Sequence, residues 1–125
     1  MGKTNLSGRW GEAVAADYLR KKHYKILSGN YRCRMGEIDL IASNRKYLVF
    51  VEVKTRKDSS FAAAAEFVDF HKQQRLIAAA RLYLSQNETA LQPRFDVIEI
   101  YAPQGTETKK PTVRHLENAF EVHND

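Results

Sequence analysis

Two neighbouring apolar stretches are each interrupted by an acid. They are Gly36-Glu37-Ile38-Asp39-Leu40-Ile41-Ala42 and Val49-Phe50-Val51-Glu52-Val53-Lys54. Both read as β-strands, with Ser43-Asn44-Arg45-Lys46 as the hairpin loop between them. Alternation puts Glu37, Asp39 and Ile41 on one face of the first strand. It puts Leu48, Phe50, Glu52 and Lys54 on one face of the second, and Val49, Val51 and Val53 on the other. With a loop of that length, Asp39 is expected opposite Phe50, and Glu37 opposite Glu52. Asp39 and Glu52 are then diagonal neighbours, roughly 7–8 Å apart at the backbone. Apolar residues on either side imply that both faces are covered. Buried like-charged carboxylates are costly unless a cation reverses the sign of the interaction. Hard oxygen ligands suit Mg²⁺ or Mn²⁺. Lys54, on the Glu52 face, could orient or deprotonate a water, or neutralise charge on a phosphate. Those parts suffice for hydrolysis of a phosphodiester. The bland alternative is a solvated row of surface ion pairs. A lone E-x-K triplet would not exclude it; the pairing of I-D-L with V-E-V-K is more specific.

The elements that must position these residues follow from periodicity. Trp10, Val14 and Tyr18, with Ala15 and Leu19, give a helical face over Arg9 to Lys22, with Asn5 or Ser7 as its cap. Tyr24 to Arg34 reads as a strand with a turn or bulge near Gly29-Asn30. A long helix is expected within Phe61 to Gln86, broken near Phe70-His71, with the alanine run at 62 to 65 inside it. Leu76, Ala79, Ala80, Tyr83 and Leu84 form its packing stripe. Pro93 ends that region, Arg94 to Tyr101 is a strand, and Pro103 to Lys110 is a polar loop. A short strand over Thr112 to Leu116 and a frayed tail complete the pattern. The predicted order is α-β-β-β-α-β(-β), an α/β fold with a mixed sheet between helices. The strand after the long helix should return parallel, by a right-handed crossover.

The chain of 125 residues is expected to form one domain spanning 1–125, with about 1–7 and 117–125 loosely ordered. The single cysteine, Cys33, excludes an internal disulfide and a cysteine zinc cluster, which favours a reducing, cytoplasmic setting. No apolar run suggests a signal peptide or membrane span. The net charge of +5 favours encounters with polyanions without specifying one.

The strand pair, with Thr55-Arg56 after it, resembles the core motif of the PD-(D/E)xK, or restriction-endonuclease-like, nucleases. Over nearly its full length the chain is similar to the bacterial YraN-type proteins within that superfamily. The shared stretches include Gly8-Arg9-Trp10-Gly11-Glu12, Asn30-Tyr31-Arg32, Lys72 with Arg75-Leu76, Arg94-Phe95-Asp96-Val97 and Asn118-Ala119-Phe120. The archaeal Holliday-junction resolvases are similar in design. The resemblance implies Asp39 and Glu52 as metal ligands, Lys54 as the water-positioning or charge-stabilising residue, and Glu12 as an auxiliary ligand. Glu37 has a weaker claim. The motif's proline-aspartate pair is replaced by Ile38-Asp39, and Phe61-Ala62 stands where relatives often carry Phe-Gly.

Arg32, Arg34, Arg56 and Lys57 are near the site in sequence and are candidate contacts to a nucleic-acid backbone, with DNA the expected partner. Each taken singly also fits a solvated surface charge. Trp10 and Tyr31 could stack on bases, although core packing suits Trp10 better. The expected function is a metal-dependent endonuclease, with branched and single-stranded DNA among its candidate substrates. A homodimer would suit a branched junction. The alternatives are a non-catalytic nucleic-acid-binding module and a partner-binding module on the same fold.

Overall fold

The structure, a computed structural model, describes residues 6–57 and 69–122. Helix α1 spans Leu6–Lys21 and strand β1 Lys25–Cys33. Strands β2 and β3 span Gly36–Ser43 and Tyr47–Arg56. Helix α2 spans Phe70–Gln86, strand β4 Gln92–Tyr101, and strand β5 Thr112–Phe120. A single 3₁₀ turn, Gly105–Glu107, interrupts the β4–β5 connection. The five strands form one sheet in chain order. Only β3 and β4 run parallel, because α2 carries the chain back across the sheet between them. The expected mixed α/β sheet flanked by helices is therefore observed, with β5 as its last strand.

Two apolar layers hold the helices on opposite faces. Ala15, Ala16 and Leu19 of α1 pack with Leu40, Ala42, Val49, Val51, Ile98 and Ile100. Leu76, Ile77, Ala79 and Ala80 of α2 pack with Ile38, Ile41, Leu48, Phe50, Phe95 and Val97. Val49 and Val51 thus face away from Leu48 and Phe50, as period-two alternation in β3 requires. Trp10 packs against the α1 layer. Tyr31 packs against the α2 layer, edge-on to Tyr83 with ring centroids 5.3 Å apart, which gives it a core role.

Several boundaries differ from the sequence expectation. Helix α1 begins at Leu6, so Ser7 is inside it and not ahead of it; Asn5 is outside the described residues. The helix closes with His23 in the left-handed region (φ 71°), and the Tyr24 N–H donates to the Leu19 carbonyl at 3.0 Å. Helix α2 begins at Phe70, where the break was expected. Asp69 caps it, accepting the Lys72 N–H at 2.8 Å. The alanine run and the Phe61-Ala62 substitution are outside the described residues.

The tail expected to fray after Leu116 instead continues β5 to Phe120. Phe120 stacks on Phe95, 4.9 Å between centroids, and Asn118 (φ 53°) donates its N–H to Asp96 Oδ1. Asp96 is 1% exposed. It also accepts two bonds from the Arg94 guanidinium, at 2.9 and 2.8 Å, and lies 2.7 Å from His115 Nε2. Arg94 in turn donates to the Tyr24 hydroxyl and stacks over Tyr47. This buried network pins β5, β4 and the end of α1 together. Burial works against the Asp96 charge, but the bonds from His115, Arg94 and Asn118 outweigh it and hold the carboxyl below its ordinary range.

Candidate active site

The β2–β3 hairpin closes more tightly than its polar residues suggest. Asn44 Oδ1 accepts the N–H groups of Lys46 and Tyr47, and the Asn44 N–H donates to the Tyr47 carbonyl. Only Arg45 and Lys46 remain as loop. Observed partners are Leu40 with Val51 and Ile41 with Phe50. The expected register, with Asp39 opposite Phe50, is therefore displaced by two residues along β3. A two-residue slip preserves faces. Continued past Leu40, the observed register brings Asp39 opposite Glu52 itself.

The expected sharing of a face by Asp39 and Ile41 also needs correction. Ile38 and Ile41 both pack in the α2 layer, while Leu40 packs in the α1 layer. Strict alternation therefore breaks at Asp39. On the neighbouring strand Asn30, between the pairs Gly29–Leu40 and Tyr31–Ile38, has φ 55°. The irregularity turns the Asp39 side chain toward β3, where Oδ2 accepts the Val53 N–H at 2.8 Å. Asp39 thereby sits at the split end of the β2–β3 ladder, beside Glu52.

Glu52 is 6% exposed. Its Oε2 receives two ammonium groups. Lys54 Nζ is 3.8 Å away, and Lys72 Nζ, reaching down from the first turn of α2, makes a direct ion pair. Lys72 had been noted in the sequence only as part of a shared stretch. Its contact with Glu52 crosses two elements, and no local spacing reveals it. A small cleft of about 160 Å³ opens here, lined by Gly36, Glu37, Asp39, Glu52, Lys72, Arg75 and Leu76. Gly36 matters to its shape. Its φ of 155° suits glycine, and a Cβ there would lie 3.4 Å from the Arg75 Cβ on α2.

Glu12 reaches the cluster from α1. Asn30 Nδ2 donates to Glu12 Oε1 at 3.0 Å, tying the helix to the irregular stretch of β1. Asn30 Oδ1 is buried and accepts no hydrogen bond. The close approach of α1 depends on Gly11, where a Cβ would overlap Thr55 Oγ1 on β3. Glu37 is exposed and paired with Arg32 at 3.1 Å, which suits a surface role.

The electrostatics match a site built around a missing positive charge. Burial, then the adjacent Glu52 charge, push the Asp39 carboxyl up to about 7, against the lowering effect of the Val53 N–H. Burial raises Glu12 as well, more than its bond from Asn30 lowers it. The Lys54 ammonium is held below its ordinary value by burial and by Lys72. Lys72 is held above its own, because the Glu52 pair outweighs burial. Among the described residues no three His, Cys, Asp or Glu side chains form a complete metal cage. Mg²⁺ does not require one: it binds through one or two carboxylates, with water and phosphate oxygens completing the shell. Asp39 and Glu52 offer that donor set.

Of the expected backbone contacts, Arg34 is exposed in the β1–β2 turn. Arg32 is engaged by Glu37. Arg56 lies 3.7 Å from the buried Glu99, and the Lys57 side chain runs beside Gly105. The structure therefore gathers Glu12, Asp39, Glu52 and Lys54, adds Lys72, and sets the arginines around them on separate elements.

Fold and site together define an α/β domain with a carboxylate–lysine cleft at the split of its central hairpin. No helix among the described residues is long and apolar enough to cross a membrane. Residues 11–100 match the model of the family described as uncharacterised protein family UPF0102. The chain is 50% identical over 115 residues to a UPF0102 protein of Caldanaerobacter subterraneus subsp. tengcongensis, covering 90% of this chain and 93% of the relative. It is 44% identical over 116 residues to one from Syntrophotalea carbinolica, covering 92% and 91%. The chain belongs to the UPF0102 family.

Proposed function

We propose that this protein is a metal-dependent endonuclease of the restriction-endonuclease-like kind, hydrolysing nucleic-acid phosphodiesters, most readily DNA. The observation that carries the reading is the meeting of Asp39, Glu52 and Lys54 in one cleft, with burial and mutual repulsion opposing two adjacent carboxylates. Such an arrangement is unfavourable without a cation and serves no packing need. The cleft is near the carboxyl-terminal ends of the parallel pair β3 and β4, where open α/β sheets bind ligands.

Asp39 and Glu52 would hold Mg²⁺ or Mn²⁺, with Glu12 as an auxiliary carboxylate braced by Asn30. The ion supplies charge against the phosphate and acidity to water. Lys54 orients the attacking water or neutralises charge on the phosphate; its lowered proton affinity suits proton exchange. Lys72 is a second cation within reach of the same phosphate once it leaves Glu52. The water oxygen bonds to phosphorus, the ester P–O bond breaks, and the departing oxygen takes a proton. Branched and single-stranded DNA are candidate substrates, a twofold dimer would suit a junction, and the single cysteine fits a reducing cytoplasm.

One observation favours a second reading. Lys72 already neutralises Glu52, as it would in a binding module that never cuts. Cleavage of linear, branched and single-stranded DNA and RNA with Mg²⁺ or Mn²⁺ separates the two. The wild type should cut at least one substrate, and Asp39→Ala and Glu52→Ala should not. Equal residual cutting by both variants points to a contaminant; binding without cutting under every condition supports the second reading.

A further inference from the structure

Glu99 on β4 is fully buried and has no part in the chemistry proposed above. It faces the α2 side of the sheet, because its neighbours Ile98 and Ile100 pack in the α1 layer. In register it lies beside Lys54 on β3 and opposite Arg114 on β5. Two arginines from different strands converge on it. Arg114 Nη1 donates to Glu99 Oε1 at 3.4 Å, and Arg56 Nε lies 3.7 Å from Oε2. Both contacts are long for charge-assisted bonds, which run about 2.7–2.9 Å. Glu99 Oε2 is buried and accepts no hydrogen bond. Burial raises the Glu99 carboxyl, and the two arginines only partly offset that.

Anchoring of this kind suits arginines that remain accessible. The Arg114 and Arg56 side chains keep 46% and 35% of their surface exposed, although their shared carboxylate has none. A fully formed buried salt bridge would have enclosed the guanidinium groups, as the Arg94–Asp96 pair does. Guanidinium groups held by one edge still present donors to a second anion.

We propose that Glu99 is a positioning residue that holds Arg56 and Arg114 as a phosphate clamp, carrying a nucleic-acid backbone from the cleft across β4 to the β5 edge. The inference rests on the nucleic-acid reading of the Asp39–Glu52–Lys54 site and adds the direction of the bound strand. Lys54 and Arg114 are two strand spacings apart, roughly 10 Å. At a rise of about 3.4 Å per nucleotide, Arg114 meets a phosphate about three nucleotides from the one at Lys54.

Binding to a fluorescent DNA duplex and to a single strand, in EDTA and across a salt series, tests the clamp without cutting. Arg114→Ala should weaken binding about 3- to 10-fold and reduce the slope of log affinity against log salt by about 0.7–0.9. The Arg56→Ala/Arg114→Ala double variant should lose about twice that slope. Arg20→Ala, whose arginine pairs with Asp17 on the exposed side of α1, should change neither. Glu99→Gln gives a test of sign, once its fold is verified by circular dichroism. Removing a negative charge near a polyanion tightens binding if charge alone matters, and weakens it if anchoring matters. Weaker binding is expected; tighter binding overturns the positioning role. Wild-type binding with no change of slope in either arginine variant overturns the clamp while the nuclease reading stands. Reduced slopes without metal-dependent cutting of any substrate support the clamp and overturn the nuclease. No binding by wild type at low salt overturns both.

Discussion

Replacing Asp39 by Asn should stabilise the metal-free protein, although it removes a residue the proposed chemistry needs. The folded protein holds the Asp39 carboxyl at about 7, against 3.8 for the ordinary group. Between about pH 4 and pH 7 the folded state therefore keeps a proton that the unfolded chain has lost. Wild-type stability falls as pH rises through that window and stays low above it. At about 1.36 kcal/mol for each tenfold change in proton affinity, the full cost of ionisation is about 4 kcal/mol. Partial exposure and relaxation around the charge reduce this, and a gain of about 2 kcal/mol is a sounder expectation. Asn keeps an oxygen to accept the Val53 N–H and offers Glu52 a donor in place of a like charge. Urea unfolding in EDTA should show Asp39→Asn and wild type equal near pH 4, with the variant more stable by about 2 kcal/mol at pH 8. With Mg²⁺ at ten times its dissociation constant, wild type should recover about 1.4 kcal/mol and the variant nothing. A variant no more stable than wild type at pH 8 would refute the account of a repelled, desolvated carboxylate.

Four further outcomes follow from the packing. Gly11→Ala forces a methyl group into Thr55 Oγ1 and should cost about 1–3 kcal/mol in thermal or urea unfolding. Glu12→Gln should leave stability nearly unchanged and lower metal-dependent cleavage about 10- to 100-fold, read at saturating substrate. Lys72→Met leaves the buried Glu52 with only the distant Lys54; it should destabilise the metal-free protein by about 1–3 kcal/mol, and Mn²⁺ should restore more stability to it than to wild type. Arg94→Leu abandons buried Asp96 and should cost about 3–5 kcal/mol, releasing β5 to hydrogen exchange before the rest of the sheet.

Much of this architecture is legible in the sequence where one local rule dominates. The β3 run Tyr47–Arg56 alternates so cleanly that its two faces, and the placement of Glu52 beside Lys54, follow from period two alone. Pro93 and the stripe from Leu76 to Leu84 define the crossover that makes β4 parallel. Rules fail where a side chain replaces backbone. Asn44 tightens the hairpin by accepting two N–H groups, so counting polar loop residues gives the wrong register. Asp39 breaks alternation because its carboxylate takes a ladder partner's place at Val53. The end of β5 looks frayed because Glu117-Asn118 is polar, yet buried Asp96 captures Asn118 from another strand. Lys72 and Glu99 are hidden for the same reason: their partners are distant in sequence, and their residue types alone read as ordinary surface charge.

The joint hold of Asp39 and Glu52 on a divalent cation is the claim on which ligand assignments and activity both depend. Calorimetric titration of the metal-free protein with Mn²⁺ at pH 8 tests it most directly. Wild type should bind one ion per chain and release protons, since Asp39 must ionise fully. Asp39→Asn and Glu52→Gln should each abolish that binding. Undiminished Mn²⁺ binding by both folded variants, or none by wild type with and without DNA, would contradict the account.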